Sequence, residues 1–381
     1  MVKNFIPYGK QWIDEQDVKE AAKILRTDWI TQGPVIEKFE HAIANYCGAS
    51  YGVAVASGTA ALHAAYAVAG IGQGDEVITS PLTFAATANG VVYCGGKPVF
   101  ADIQEDTLTI DPREIEKKIT KRTKAIAPVD FAGHPCEYNK ILQIAKKHKL
   151  LVIEDAAHAL GSEYRGKKIG SFADLTILSF HPVKTITTGE GGMILTNHKD
   201  LYEKLKVFRH HGIVKKPEQG GWYYEIEHPG YNYRITDFQC ALGLSQFRKL
   251  PRFIKRRKEI VARYDAAFQD EEALIIPKEK SYVEAVYHIY VVQLRLEKLQ
   301  AGRREIFEAL QKRGIGCQVH YVPVHFQPFY QKTFGYQRGD FPVAERYYEG
   351  ALTLPLFPKM TDAQVEKVIR TVRSIIRFNR K

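Results

Sequence analysis

Hydrophobic and polar positions follow two alternating periods along residues 50–245. Short runs rich in β-branched residues predict buried strands, and stretches with apolar residues three or four positions apart predict helices. The predicted strands are 51–55, 76–79, 97–102, 125–131, 150–155, 175–180 and 192–196. Apolar strands separated by helices are typical of a parallel sheet covered on both faces. The pattern therefore predicts an α/β fold with a mostly parallel central sheet.

The pattern changes beyond residue 250, where long helical periods dominate. Helices are predicted at 255–269, 302–313, 344–349 and 361–378, with a strand at 286–295. We therefore expect a large α/β domain with an N-terminal arm over residues 1–250 and a smaller α+β domain over residues 251–381. Residues 214–230 are rich in Lys, Gly, Pro and aromatics without a clear period, and they predict a long loop.

Composition is that of an ordinary folded protein, with 45% hydrophobic and 25% charged residues. No apolar run approaches the roughly 18 residues that a spanning helix needs, and the first residues do not resemble a secretory signal. The five cysteines are odd in number and scattered, which favours reduced thiols over a disulfide framework or a zinc site. We expect a cytoplasmic protein with no metal and no membrane partner.

The chain is basic, with 54 Lys and Arg against 43 Asp and Glu and a formal net charge of +11. Such a charge could attract nucleic acid, membranes or small phosphorylated molecules, so it does not choose among them. The densest basic run, residues 252–257, has the apolar spacing of a helix and predicts a solvated helix face. We expect no nucleic-acid partner.

Residues 57–62, SGTAAL, follow a predicted strand and begin a helix that Gly70 would close. Small residues let the backbone approach an anion, and the free N–H groups of a helix start favour phosphate. An ordinary N-cap by Ser57 or Thr59 explains the same pattern equally well.

Asp155 ends a strongly apolar predicted strand and is followed by AAHALG. Burying an unpaired carboxylate is costly, so this position indicates a cationic or hydrogen-bonding partner, which a protonated pyridine nitrogen would supply. The alternative makes Asp155 a helix N-cap and His158 a core histidine.

Lys184 lies between a predicted strand end and a glycine-rich turn, in the passage SFHPVKTITTGEGG of residues 179–192. A packing role is a poor explanation for a lysine there. In an enclosed site its amine can lose a proton and condense with an aldehyde. Ser179 could donate a hydrogen bond to a phosphate, or it could be an ordinary serine at a strand end.

These passages, with Asp155 about thirty residues before Lys184, resemble the DegT/DnrJ/EryC1/StrS family of nucleotide-sugar aminotransferases. The ordered motifs SGTAAL, EDAAHALG, SFHxxK, TTGEGG and NYRxxxxQxALGxxQ carry the resemblance over nearly the whole chain. The resemblance implies fold-type I and pyridoxal 5'-phosphate (PLP) as cofactor, with pyridoxamine phosphate as its intermediate form.

The family's cofactor residues can be assigned to this sequence from the matching motifs. Lys184 would be the catalytic Schiff-base lysine, and Asp155 would pair with the pyridinium nitrogen. His158 would lie beside the ring. Phe84 matches the aromatic residue that stacks on the ring, although a core phenylalanine is the alternative.

The resemblance also implies a phosphate site that two subunits share. Gly58, Thr59 and Ser179 would hold the cofactor phosphate. Asn232 resembles the asparagine that the family inserts from the neighbouring subunit. We therefore expect a homodimer with shared active sites.

Within the family, residues 29–34 and 316–321 resemble members that aminate C4 of a UDP-linked 4-keto-6-deoxy-N-acetylhexosamine in pseudaminic acid biosynthesis, with L-glutamate as donor. The implied substrate contacts are Tyr8, Trp29, Ile30, Thr31, His320 and Tyr321. Core packing is the alternative for Tyr8 and Trp29. Another nucleotide-linked keto sugar, or a non-catalytic binding protein of the same fold, also stays open. A dehydratase of this fold has histidine in place of Lys184.

Overall fold

The secondary structure is taken from a computed structural model that describes residues 5–381. The strands are β1 Tyr51–Val55, β2 Glu76–Thr79, β3 Lys97–Phe100, β4 Thr123–Ala127, β5 Leu151–Asp155, β6 Glu163–Tyr164, β7 Lys167–Lys168, β8 Leu175–Ser179, β9 Gly192–Thr196, β10 Ile213–Lys215, β11 Tyr224–Ile226, β12 Leu274–Ile275, β13 Val283–Glu284, β14 Tyr290–Leu294 and β15 Ala351–Leu354. The α-helices are α1 Glu15–Ile24, α2 Pro34–Cys47, α3 Gly58–Val68, α4 Ala85–Tyr93, α5 Pro112–Lys118, α6 Tyr138–His148, α7 Lys199–Phe208, α8 Asp237–Arg248, α9 Leu250–Phe268, α10 Arg303–Lys312, α11 Pro328–Phe334, α12 Pro342–Gly350 and α13 Asp362–Phe378.

A seven-stranded sheet in the order β1-β9-β8-β5-β4-β2-β3 forms the centre of the fold. Only β9 runs antiparallel to its neighbours within this sheet, so the predicted mostly parallel sheet is confirmed. All seven predicted strands occur, with small differences at their ends. The strand predicted over 125–131 ends at Ala127, because Pro128 has no N–H to donate to a ladder.

Both faces of the central sheet are buried, which explains its apolar strands. On β8, Ile177 packs in the core that includes residues of α3 and α7, whereas Leu178 packs in the core that includes residues of α2 and α6. Alternate residues of a strand point to opposite faces, so a run without polar positions requires cover on both sides. The carboxyl ends of β1, β4, β5 and β8 lie at one edge of this sheet, where ligands bind in such folds.

A second sheet, β12-β14-β15, packs with α10 and α13 in a separate hydrophobic core. Ile6 belongs to that core and pairs with Ile315. The strand pair β6–β13 likewise joins residues on both sides of position 250. The domain boundary expected there stays a prediction.

Two other sequence predictions need correction. The long loop predicted over 214–230 is partly wrong, because it contains most of the hairpin formed by β10 and β11. The solvated face predicted for residues 252–257 of α9 is wrong for Arg257, which is only 1% exposed. Over residues 5–381, no helix combines the length and apolar character needed to cross a membrane.

Candidate active site

A cavity of about 360 Å³ lies at the carboxyl edge of the central sheet. It brings together ten of the fourteen predicted site residues: Tyr8, Gly58, Thr59, Phe84, Asp155, His158, Ser179, Lys184, His320 and Tyr321. A larger groove of about 940 Å³ lies elsewhere, and its lining includes none of the predicted site residues. The smaller cavity is therefore the candidate active site, since most of the chemistry converges there.

Lys184 follows β8 in a turn that its own backbone N–H closes by donating to the carbonyl of His181 at 2.9 Å. Removal from solvent lowers the pKa of Lys184 from 10.5 to about 8, and the negative charge of Asp155 opposes that shift. The fall raises the fraction of neutral amine at pH 7 by about 300-fold. The lysine is thus prepared to act as a nucleophile and as a proton acceptor.

Asp155, the last residue of β5, is only 5% exposed. Burial raises the pKa of its carboxyl group, while a hydroxyl hydrogen bond from Thr87 at 2.6 Å and a backbone hydrogen bond from Ala157 at 3.1 Å lower it. No helix follows Asp155 directly, so the helix-cap alternative is wrong. The carboxylate can pair with a cation in the cavity.

The start of α3 forms an anion site beside the end of β8. Ser57 is the N-cap and accepts a hydrogen bond from the N–H of Ala60 at 3.1 Å. The N–H groups of Gly58 and Thr59 belong to the first turn, which has no earlier carbonyls to bond. A Cβ at Gly58 would lie 3.1 Å from the Cβ of Ser179. The N-cap and phosphate interpretations are therefore compatible.

His158 is held between hydrogen-bonding groups at the cavity wall. Its Nδ1 accepts from the N–H of Ala132 at 3.3 Å, and its Nε2 lies 3.2 Å from the hydroxyl of Tyr321. Burial and the charge of Lys184 lower the pKa of His158 well below its usual value. A neutral ring that accepts at Nδ1 carries its proton on Nε2, which therefore donates to Tyr321.

Tyr8, His320 and Phe84 border the same cavity. The ring of Tyr8 lies 5.4 Å from that of His320, whose Nδ1 is 2.8 Å from the hydroxyl of Thr353. Phe84 is 60% exposed, so the core-phenylalanine alternative is wrong. An exposed aromatic side chain beside a cavity offers a stacking surface.

Four predicted site residues lie outside the lining of this cavity: Trp29, Ile30, Thr31 and Asn232. Trp29 is 59% exposed, so core packing does not explain it. Thr31 pairs with Thr236, which places residues 29–31 near the segment that carries Asn232. Their contacts with substrate or cofactor stay predictions.

The sequence interpretation missed Thr87 and His288. Thr87 lies three residues after Phe84, but its hydrogen bond to Asp155 joins residues 68 positions apart. His288 borders the cavity, its ring centre lies 4.3 Å from that of His158, and its Nδ1 has no hydrogen-bond partner among the described residues. A histidine before the apolar strand β14 was the available signal.

Comparison of the chain with known proteins identifies the family to which it belongs. The model of the DegT/DnrJ/EryC1/StrS aminotransferase family matches residues 11–373. The chain belongs to this family. Spore coat polysaccharide biosynthesis protein SpsC of Bacillus subtilis is 45% identical, over 98% of each chain. A UDP-4-amino-4,6-dideoxy-N-acetyl-beta-L-altrosamine transaminase of Campylobacter jejuni is 40% identical, over 97% of each chain.

Solved structures agree with that assignment. Helicobacter pylori PseC, an aminotransferase involved in the biosynthesis of pseudoaminic acid, matches with a TM-score of 0.92 and 35% identity, over 98% of this chain and 100% of that one. The PLP form of a putative sugar aminotransferase from Streptococcus pneumoniae matches with a TM-score of 0.92 and 33% identity, over 98% and 99%. The predicted fold, the sugar-aminotransferase class and the family's PLP cofactor are confirmed.

Proposed function

We propose that this protein uses PLP to transfer an amino group from L-glutamate to C4 of a UDP-linked 4-keto-6-deoxy-N-acetylhexosamine. The observation that carries the proposal is the convergence of Lys184, Asp155 and the start of α3 on one cavity. The names of the Campylobacter jejuni relative and the Helicobacter pylori structure support this class of sugar.

The residues of the cavity fit PLP in charge and space. Lys184 offers an amine with a lowered pKa, and Asp155 offers a buried carboxylate for the pyridine N–H. The missing side chain of Gly58 keeps open the space between the first turn of α3 and Ser179, where the phosphate would lie. When bound, PLP supplies the electron sink for amino transfer.

Proton transfer falls to Lys184. With a pKa near the working pH, its Nζ can take a proton from the α-carbon of the amino donor and return one to C4 of the sugar. Asp155 keeps a proton on the ring nitrogen. The products are 2-oxoglutarate and a 4-amino sugar nucleotide.

The predicted sugar contacts and the phosphate residue Asn232 divide between two subunits in this proposal. Tyr8, His320 and Tyr321 line the cavity of their own subunit. Asn232 and residues 29–31 would serve the cavity of a second copy, which makes the active form a homodimer. The surface exposure of Asn232, outside its own cavity, supports that arrangement.

A different nucleotide-linked keto sugar is the second candidate substrate. SpsC is 45% identical to this chain, against 40% for the transaminase from Campylobacter jejuni, and it belongs to spore coat polysaccharide biosynthesis. The non-catalytic alternative is disfavoured because the family and the similar proteins are named as aminotransferases.

An absorbance experiment tests the proposal. We expect purified protein with PLP to develop the visible band of a lysine–PLP linkage, and L-glutamate to remove it. Lys184→Ala should never form the band, whereas the matched variant Lys38→Ala, exposed on α2, should behave as wild type. The glutamate-treated protein is then offered a panel of UDP-linked and dTDP-linked 4-keto sugars, with product masses as readout. If the wild-type protein does not develop the band, the proposed PLP-dependent catalysis is contradicted. If only dTDP-linked sugars are aminated, the proposed UDP-linked substrate is contradicted.

A further inference from the structure

Asn232 has a tyrosine on each side in the sequence, Tyr231 and Tyr233. The rings of Tyr231 and Tyr233 stack with centres 5.0 Å apart and 16° between their planes. The segment is extended, since Asn232 pairs with His210 and the carbonyl of Tyr233 accepts from the N–H of Ala56. Successive side chains of an extended segment point to opposite sides. Asn232 therefore points away from the two tyrosine rings.

Both tyrosines pack on His63, which is only 6% exposed. The Nδ1 of His63 lies 2.9 Å from the hydroxyl of Tyr233, and its ring centre lies 5.0 Å from that of Tyr231. Tyr93 and Phe208 make edge contacts with the same imidazole. This aromatic cluster restricts the backbone on both sides of Asn232.

His63 also belongs to α3, whose first turn contributes Gly58 and Thr59 to the cavity of its own subunit. Thr59 and His63 are four positions apart, so they lie on the same face of the helix in successive turns. One rigid element thus carries both a subunit's own anion site and the contact that fixes Asn232.

We infer that His63 and Tyr233 are positioning residues that hold Asn232 for the PLP phosphate of a second copy of the chain. The inference rests on the proposed homodimer, in which Asn232 completes the partner's phosphate site. Fixing the segment before association reduces the conformational entropy lost when Asn232 binds. Helix α3 thus connects the phosphate site of each subunit to Asn232, the residue that the same subunit contributes to the phosphate site of its partner.

PLP affinity tests this inference without a measurement of activity. The apo form of the full chain is titrated with PLP, and the dissociation constant is read from the lysine–PLP band. Loss of a hydrogen bond to a charged group predicts about tenfold or more weaker binding for Asn232→Ala. His63→Leu and Tyr233→Phe, which disturb only the support, should weaken binding by about threefold to tenfold. His63→Asn, with an amide near the position of Nδ1, should restore part of the loss.

Combining the substitutions separates positioning from a general structural effect. If His63 acts through Asn232, His63→Leu should change the PLP affinity of Asn232→Ala by less than about twofold. If the loss of PLP affinity in the double variant equals the product of the two single-variant losses, the inference is overturned. Tyr233→Phe keeps the packing of the aromatic ring. If His63→Leu does not fold, the PLP affinity of Tyr233→Phe combined with Asn232→Ala is therefore compared with that of Asn232→Ala alone.

Mixed dimers decide in which subunit His63 acts. In a dimer of one Lys184→Ala subunit and one His63→Leu subunit, only the His63→Leu subunit keeps a reactive lysine. In the proposed dimer, the phosphate site of that subunit receives Asn232 from the Lys184→Ala subunit, in which His63 is intact. We expect wild-type PLP affinity at that site. Affinity as weak as in the His63→Leu homodimer overturns the inference, as does unchanged affinity in Asn232→Ala. A wild-type protein that forms no lysine–PLP linkage contradicts the proposed function instead.

Discussion

The hydroxyl of Thr87 donates a hydrogen bond of 2.6 Å to Oδ2 of Asp155, and both side chains are buried. Burial alone raises the pKa of the carboxyl group, and the bond from Thr87 is the largest influence in the opposite direction. The pairing proposed between Asp155 and the pyridine nitrogen of PLP requires an ionised carboxylate. In that proposal, Thr87 would support cofactor binding, although it does not line the cavity itself.

Thr87→Val should raise the pKa of Asp155 further and weaken PLP binding. A hydrogen bond to a charged group contributes about 1.5–3 kcal/mol, so we expect at least about tenfold loss of PLP affinity at pH values where Asp155 of the variant is protonated in the apo protein. Since PLP pairing requires the ionised carboxylate and the substitution raises the pKa of Asp155, the loss should be full at low pH and should shrink as the pH rises above the raised pKa. PLP titrations over a pH series provide the measurement, and Thr87→Ser, which keeps the hydroxyl, is the control. Equal affinity in Thr87→Val would contradict this role.

Lys184 should titrate near pH 8 in the apo protein. The rate of lysine–PLP linkage formation should rise with pH while the ammonium loses its proton, then level off above about 8 rather than near the ordinary value of 10.5. Asp155→Asn removes the nearby negative charge that raises this pKa, so the inflection should move to lower pH. Stopped-flow absorbance measures the rate. A wild-type rate that still climbs steeply at pH 10 would be inconsistent with a desolvated amine.

The sequence predicted the central sheet well because its strands are buried on both faces and interrupted by clear helices. The motifs that contain Asp155 and Lys184 follow β5 and β8, and neighbouring parallel strands bring their carboxyl ends together. That geometric rule accounts for most of the cavity. The assignment of Tyr8, Phe84 and His320 to the same site rested instead on the resemblance to the family.

The supporting contacts were beyond the sequence because they join distant parts of the chain. His63 meets Tyr233 across 170 positions, and Arg257 reaches the carbonyl of Leu356 across 99. A helical period indicates a buried stripe but does not reveal that a charged residue at its margin points inward. The hairpin of β10 and β11 was missed for another reason: its short strands are flanked by glycine and mixed polar residues, which weaken a period of two.

Gly58→Ala should separate helix stability from anion binding. Gly58 is the first residue of α3, so alanine gains less there than the roughly 1 kcal/mol of a helix interior, and its contact with Ser179 offsets part of that gain. The thermal stability of the variant should therefore change little. Its new Cβ would nevertheless lie 3.1 Å from the Cβ of Ser179 and narrow the proposed phosphate site. We expect PLP affinity to fall by about tenfold or more, since the phosphate would lose hydrogen bonds. Thermal unfolding and PLP titration are compared with Thr59→Ala, which adds no atom. Unchanged PLP affinity in Gly58→Ala would contradict the proposed phosphate site at the start of α3.

Arg257 lies beneath the cavity wall and organises the backbone around His288. Its Nη1 donates to the carbonyls of Tyr287, His288 and Leu356 at 3.3, 3.0 and 3.1 Å. Burial lowers the pKa of Arg257 to about 10, so the side chain stays charged at neutral pH. The three carbonyl dipoles therefore stabilise a charge that has no carboxylate partner among the described residues.

Arg257→Met should destabilise the protein by about 2–4 kcal/mol, because several buried carbonyls lose their donor at about 1–3 kcal/mol each while the cost of burying the charge is recovered. Arg257→Lys, which keeps a charge and fewer donors, should lose less. Arg256→Met is the matched control on the same helix, since Arg256 pairs with the exposed Asp362, and its effect should be much smaller. Urea unfolding measures all three. If Arg257→Met were as stable as wild type, the cost of burying the charge would equal the gain from its hydrogen bonds, and Arg257 would be retained for the position of His288 rather than for stability.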